Sequence, residues 1–384
     1  MNTNRLERHG KLVVLLVCGV LLGGCANGGD HEVWTTKYDP TSGAKLDQPT
    51  LNIMGEPMDA GGPLASAGEL KQSAISLLQQ AADSTNPLLR ANAIEALQSA
   101  PEALQPIVQR SLADENRGVR FVAAMTVGKL KMQEMAPLLE PLLHDESQSV
   151  QAAAIYGIRR CGRPADLNPL SAMLLGENPE VKANAALVLG ELGDNSAIPL
   201  LRNAVGRGLI RVDPARRKVV ELQLAEAMAK LGATNQIDVI RAALFAPPEE
   251  GELVALACQM CGELRDGGAW PDLINMIHRT GKFERPPEIR MAAALALAQI
   301  DPTKAPLDVP AAFVASPHYE IRAQAAHTLA GVAAGGGGNS RAALGHLAKL
   351  MSDPNPLVQV AAAGGVLRAG VRQGQETLSV GLNH

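Results

Sequence analysis

Aromatic side chains are nearly absent from this chain: its 384 residues include two Trp, three Tyr and four Phe. So sparse a set cannot supply the stacking platform on which nucleic-acid bases or sugar rings lie. A basic excess is missing too. Thirty-five Lys and Arg stand against 39 Asp and Glu, a formal charge of −4. That lacks the electrostatic footprint of a phosphate-backbone binder, so nucleic acid is excluded as a partner. Long apolar runs are equally scarce. The run Leu12 to Leu22 has eleven residues, well short of the about 20 that cross a bilayer as a helix. What the chain does have is 46% hydrophobic and 19% charged residues, the balance of a folded protein rather than a disordered one.

Arg5, Arg8 and Lys11 form a basic head before that apolar run, and the two together have the layout of an export signal. The run ends in Leu22-Gly23-Gly24-Cys25, which resembles the lipobox of bacterial lipoproteins. The resemblance implies cleavage before Cys25 and a diacylglycerol group on its sulfur, so residues 1–24 are the expected signal peptide and Cys25 the lipid-attachment site. Two or more acyl chains hold a protein firmly to a membrane, whereas one holds it marginally. Ala26 stands where Asp favours inner-membrane retention in Gram-negative lipoproteins, and this points to the outer membrane, facing the periplasm. Residues 25–66 are rich in Gly, Pro, Asp and Thr and lack periodicity, as a flexible tether would. Forty flexible residues reach roughly 35 Å. Trp34, within the tether, has the alternatives of a docking segment or a ring resting on the body or the lipid interface.

From about residue 67 one motif recurs nine times. An aliphatic residue opens a segment, at Leu89, Val119, Val150, Val181, Val220, Leu253, Ile289, Ile321 and Val358. Four positions later stands Ala in every unit but one, where Leu224 takes the place, and eight positions later another apolar residue. Steps of four place these residues on one helical face, and Ala at the middle lets neighbouring helices approach closely. Openers lie 30 to 39 residues apart, room for two short helices and two turns. A preceding helix is visible in each unit, as in Pro137-Leu138-Leu139 with Leu142-Leu143.

Asp114 to Arg120 (DENRGVR), Asn178 to Gly193 (NPEVKANAALVLGELG), Pro287 to Ala298 (PEIRMAAALALA) and Asp353 to Ala363 (DPNPLVQVAAA) resemble the HEAT repeat family and its shorter bacterial relatives of the phycobilin-lyase type. A turn, an aliphatic residue, a base and then alanines is that family's second-helix opening. The base after the opener is present as Arg90, Arg120, Lys182, Arg290 and Arg322, but Gln151, Glu221, Val254 and Gln359 interrupt any continuous ladder. The resemblance implies an all-α fold: an α-solenoid, a right-handed superhelix of about nine HEAT-like hairpins over residues 67–370, with 371–384 as a C-terminal tail. Stacked hairpins share one continuous core. With about 8–10 Å between packed helices, nine units predict a curved body roughly 80 Å long whose concave face takes an extended partner.

Candidate chemistry is thin. Cys258 and Cys261 have CxxC spacing, but both fall inside a second helix and no second pair completes a zinc site. A mature form would keep Cys25 for the lipid and three other cysteines, an odd number that does not make a disulfide framework. Four glycines, Gly335 to Gly338, precede no Lys-Ser or Lys-Thr and so make no phosphate loop. Within the HEAT-like enzymes, deoxyhypusine hydroxylases bind iron through several His-Glu dyads, whereas this chain has one such dipeptide, His31-Glu32, in the tether. No cofactor, metal or catalytic residue is expected. Tyr156, Glu226 and His327 are scattered along the chain with no shared column to gather them.

The longest interval holds the densest basic stretch, with Arg207, Arg211, Arg216, Arg217 and Lys218 around a lone Asp213. Arginine's planar fork suits a carboxylate or other polyanionic partner, while a solvated inter-repeat loop has the same composition. A second insertion sets Phe283 between Lys282 and Arg285, as a partner anchor or a cap on the core. The expected function is a membrane-anchored, non-catalytic scaffold of the bacterial envelope with protein partners there. The alternative is an enzyme, enzyme accessory or ligand carrier of the phycobilin-lyase-like type, working in the groove.

Overall fold

The computed structural model describes residues 67–381, with side chains over 67–370 except that of Lys282. Cys25, Trp34 and the rest of the signal and tether lie outside the described residues. Helices follow one another in pairs: α1 (Ala67–Ala82) with α2 (Pro87–Ala96), then α3 (Pro101–Ser111) with α4 (Arg117–Lys129). In the third pair two 3-10 turns, Gln133–Leu139 and Pro141–His144, precede α5 (Gln148–Arg160). Next come α6 (Asn168–Leu175) with α7 (Pro179–Leu192), α8 (Ile198–Ala204) with α9 (Pro214–Lys230), and α10 (Asn235–Ala243) with α11 (Gly251–Glu263). The last three are α12 (Trp270–His278) with α13 (Pro287–Ile300), α14 (Asp308–Ala312) with α15 (Tyr319–Ala333), and α16 (Ser340–Leu350) with α17 (Pro356–Gly381). The described residues form an all-α solenoid of nine hairpins.

All 27 residues at the opening, +4 and +8 positions are buried, none more than 9% exposed. The second helices begin where the sequence places a capping side chain and a proline. Asn86, Asn116, Asn178 and Asp213 accept from backbone N–H groups of the first turn, and Pro87, Pro179 and Pro214 occupy the position whose N–H has no helical partner. The third hairpin departs from the expected helix. Pro137 and Pro141 lie four apart, remove two N–H donors and crowd the preceding carbonyls, so the segment tightens into 3-10 turns.

A ladder of charge-assisted bonds ties hairpin to hairpin at both ends of the array. Arg90 reaches forward to Asp114 (2.8 and 2.7 Å), Arg120 to Asp145 (2.8 and 3.0 Å) and Arg322 to Asp353 (2.7 and 2.8 Å). Each guanidinium also donates to two carbonyls of the turn before its own helix, as Arg120 does to Asp114 O and Glu115 O. Gln151 and Gln359 give part of this: each amide donates at 2.6 Å to a turn carbonyl, of Asp145 and Asp353 respectively. Lys182 turns its ammonium to the carbonyl of Leu174. Glu221 and Val254 carry no base, and the ladder breaks in the middle of the array as the sequence implies.

The two ends of the array meet. Helix α17 packs on α15 along one side and on α1 and α2 along the other. One buried cluster runs from Ala74 and Leu78 of the first hairpin to Val358 and Val366 of the last. A Cβ added at Gly364 would lie 2.8 Å from the Ala96 Cβ, a closeness that glycine permits. The open body of roughly 80 Å expected from the repeat count is thus corrected to a closed ring. Each hairpin turns slightly against the previous one, and nine such turns bring the ninth beside the first. First helices form the outside of the ring and second helices line its axis.

Candidate functional site

Two surfaces concentrate chemistry: the rim formed by the turns from first to second helices, and the axial lumen.

On the rim, the basic loop follows α8. Gly206 and Gly208 both have φ near +71°, and a Cβ on Gly208 would come 2.5 Å from the Gly176 carbonyl oxygen, so the loop lies tight across the end of α6. Leu209 is fully buried and pins the loop, while its neighbour Ile210 is 86% exposed. Asp213 is spent on capping α9. The five basic residues divide. Arg216 pairs with Glu252 at 3.8 Å and Lys218 with Glu250, which ties the start of α9 to the next hairpin. Arg207 and Arg211 are exposed and Arg217 half-buried, and none of the three has an ion pair among the described residues. Phe283 is 61% exposed, so it does not cap the core.

The surrounding side chains carry a signal that reading along the sequence missed. Among the described residues eight large apolar side chains are exposed, and five of them, Leu175 at the end of α6 and Val205, Ile210, Phe245 and Phe283 in the turns that follow first helices, belong to four successive hairpins. Scattered single apolar residues are ordinary on a surface, but a row along one rim is not.

The lumen is lined by positions +6 and +10 after each opener, which face away from the first helices. At +6 stand Glu95, Tyr156, Glu226, Gln259 and His327. Tyr156, Glu226 and His327 therefore do share a column, which corrects the expectation that they are scattered. Their separation in sequence hid an equal distance from their openers, and only the closed ring turns them towards one axis. At +10 stand Lys129, Arg160, Glu191, Lys230, Glu263 and Arg368. Crowding around the axis is severe: Tyr156 is 2% exposed, Glu226 8% and Gln223 9%. Glu95, Glu191, Lys230, Gln259, Glu263 and His327 are half-buried, so the room beside these side chains suits small groups.

Electrostatics follow from the crowding. Burial pushes the Glu95 carboxyl up to about 8 against the pull of Lys129 and Arg368. Burial, and then Arg368, push His327 down to about 3. Glu226 is raised to about 7, again by burial first, with Lys230 opposing and Glu263 adding to it. Burial works against the Lys230 ammonium, but Glu226, Glu263 and Glu191 together outweigh it and hold the proton on.

These shifts predict how stability depends on pH. An acid whose folded pKa lies above its unfolded value takes up protons on folding, so Glu95 lowers stability as pH rises from 4.5 to about 8, and Glu226 does so from 4.5 to about 7. His327 acts in the opposite sense: its stability contribution is present above 6.5 and lost as pH falls from 6.5 towards 3. Between 7 and 8 Glu95 contributes most of the three. The urea midpoint of the wild type is expected to fall from pH 7 to pH 8 by more than that of Glu95→Gln; equal falls in both would show that this carboxyl does not titrate there.

Cys258 and Cys261 are fully buried, the Cys258 Sγ 3.9 Å from the Met276 Sδ. Burial raises both thiols, that of Cys261 to about 12, and the pair packs as small apolar residues do. Among the described residues no three of His, Cys, Asp and Glu converge as metal ligands, and no helix is long and apolar enough to cross a membrane.

Two overlapping stretches of the chain, residues 75–159 and 135–225, match the family model for HEAT repeats. They run from α1 into α9. No curated protein sequence matches the chain. Among solved structures, human deoxyhypusine hydroxylase in complex with glycerol aligns at 17% identity over 82% of this chain and 100% of its own, with a TM-score of 0.34. Kap121p aligns at 13% identity over 83% of this chain and 44% of its own, with a TM-score of 0.32. Kap121p bound to Nup53p aligns at 14% over 83% and 44%, with a TM-score of 0.33. The chain thus spans less than half of Kap121p, and at these TM-scores neither likeness carries over an activity or a partner. Residues 75–225, within the first five hairpins, match HEAT repeats, and the remaining four hairpins continue the same solenoid.

Proposed function

We propose that this protein is a non-catalytic HEAT-repeat scaffold of the bacterial cell envelope, lipid-anchored through Cys25 in the outer membrane and facing the periplasm. Its protein partner docks on the rim rather than in the ring. The row of exposed apolar side chains from Leu175 to Phe283, flanked by Arg207 and Arg211, which have no ion pair among the described residues, carries this reading. Apolar contacts bordered by arginine forks suit a partner surface with carboxylates around an apolar centre. Support for the anchor is the basic head, the short apolar run and Leu22-Gly23-Gly24-Cys25.

Charge reversal at Arg216 or Lys218 would break pairs internal to the solenoid, so Arg207 and Arg211 are the better probes. Cross-linking in intact cells is expected to capture a discrete envelope protein with the wild type. Cys25→Ser should move the chain from the membrane to the soluble fraction. Joint replacement Arg207→Glu, Arg211→Glu and Ile210→Ser should abolish capture and leave the helical circular dichroism unchanged. Unaltered capture by the triple variant would remove the rim from the account, and membrane retention of Cys25→Ser would remove the anchor.

A further inference from the structure

The lumen around α7, α9 and α11 holds an unequal set of hydrogen-bond partners. Lys230 Nζ lies 2.8 Å from Glu191, 2.9 Å from Glu226 and 3.5 Å from Glu263. One ammonium thus serves three carboxylates. Gln259 donates its amide to Glu263 at 2.8 Å, which fixes that carboxylate without adding charge. The next cation along the axis, Arg160, lies near Tyr156, and its Nε is buried with no acceptor among the described residues. One turn before Glu226, Gln223 is 9% exposed, and its Oε1 meets no donor among the described residues. Gln299 Oε1, farther round on α13, is in the same position. A narrow cleft between α7 and α9, lined by Ala183, Leu187, Gln223, Glu226, Ala227 and Lys230, opens onto this set.

Of the side chains that line the cleft, Gln223 Oε1 lacks a donor and Glu226 shares the single ammonium of Lys230 with Glu191 and Glu263, while Arg160 Nε, on α5, is a buried donor without an acceptor among the described residues. A buried acceptor without a donor costs free energy, so such an arrangement is stabilised when something brings donors to it. An anionic ligand would meet three carboxylates, and an apolar one would leave Gln223 unsatisfied.

We propose that this cleft binds a primary ammonium group, carried by a small alkylamine or by a lysine side chain. The ammonium donates to Gln223 Oε1 and to the Glu226 carboxylate, while its alkyl stem lies along Ala183 and Leu187. Burial is the main cause of the upward shift of the Glu226 carboxyl to about 7, and Lys230 opposes it, so a second cation beside the carboxylate would lower it further. This inference is independent of the rim and of the anchor, and it gives the lumen a role that the scaffold reading leaves out.

The test is isothermal titration of the full-length protein in neutral detergent at pH 8, with n-butylammonium chloride and, separately, Nα-acetyl-lysine methylamide. Sodium chloride at matched ionic strength is the control. Saturable binding of either amine is expected, and the tighter of the two tells a free amine from a lysine side chain as the natural source. Glu226→Gln and Gln223→Met should each weaken binding by about tenfold or more while the thermal melt stays that of a folded chain. Heats no larger than those of sodium chloride would overturn the proposal. So would binding that is equally tight in Gln223→Met, a variant of similar size that removes only the polar group.

Discussion

Gly364→Leu is expected to open the ring. Gly364 faces α2 across the junction of the ninth hairpin with the first, where a Cβ would stand 2.8 Å from the Ala96 Cβ and 3.4 Å from its Cα. Neither atom belongs to a side chain that can swing aside. The adjoining Gly365 faces the other way, its Cβ position 2.9 Å from Ala330 Cβ and from a Leu347 methyl, so α17 is held on both sides and cannot slide to make room. Overpacking of this kind costs typically about 1–3 kcal/mol. In a solenoid each hairpin leans on its neighbours, so the loss falls on the one interface between first and last units rather than on the whole array. The result should be an open, still helical solenoid. Small-angle scattering is expected to show a larger radius of gyration with unchanged circular dichroism. Gly364→Ala, with only a methyl to place, should fall between the wild type and Leu. An unchanged radius in Gly364→Leu would mean that the seam is not a packed contact in solution.

A second large effect is expected at Arg120. Its guanidinium is 11% exposed, its partner Asp145 7% exposed, and the two are joined by a two-pronged contact. The same group satisfies the carbonyls of Asp114 and Glu115. Arg120→Ala leaves a buried carboxylate without its counter-charge and two carbonyls without a donor, and breaking one side of such a pair costs about 3–5 kcal/mol. The contrast is Arg110 with Asp83, a pair 50% and 67% exposed, where removal should cost about 1 kcal/mol or less. Urea denaturation of the two variants checks both figures. Similar losses at the two sites would show that burial does not set the strength of these pairs.

Much of the fold is legible residue by residue. The spacing of four from Val150 to Ala154 and Ile158 suffices to name a buried helical face, because helix geometry alone brings those side chains together. Repetition of that face every 30 to 39 residues implies stacking, since one hairpin cannot bury its own apolar side. The capping side chains Asn116 and Asn178, and the proline that follows Asn178, mark helix starts because their chemistry acts within a few residues of the chain. The candidate site was less accessible. Composition showed the basic stretch at 207–218, but Arg216 and Lys218 are occupied by Glu252 and Glu250, acids from the following hairpin.

Local order thus follows from local pattern in this protein, down to the 27 core positions. Closure, the row on the rim and the column in the lumen depend on small rotations added up over nine hairpins, a quantity that no short stretch encodes. Gly364 and Gly365 were the available hint, two adjacent glycines inside a second helix where no turn requires them. Their meaning appears only when Ala96, 268 positions earlier, lies against them. Glu95, Tyr156, Glu226 and His327 likewise acquire shifted acidities and a shared axis from helices that are distant in the chain and adjacent in space. Short-range periodicity settles which face of each helix is buried; the accumulated twist of the array settles what the opposite faces meet.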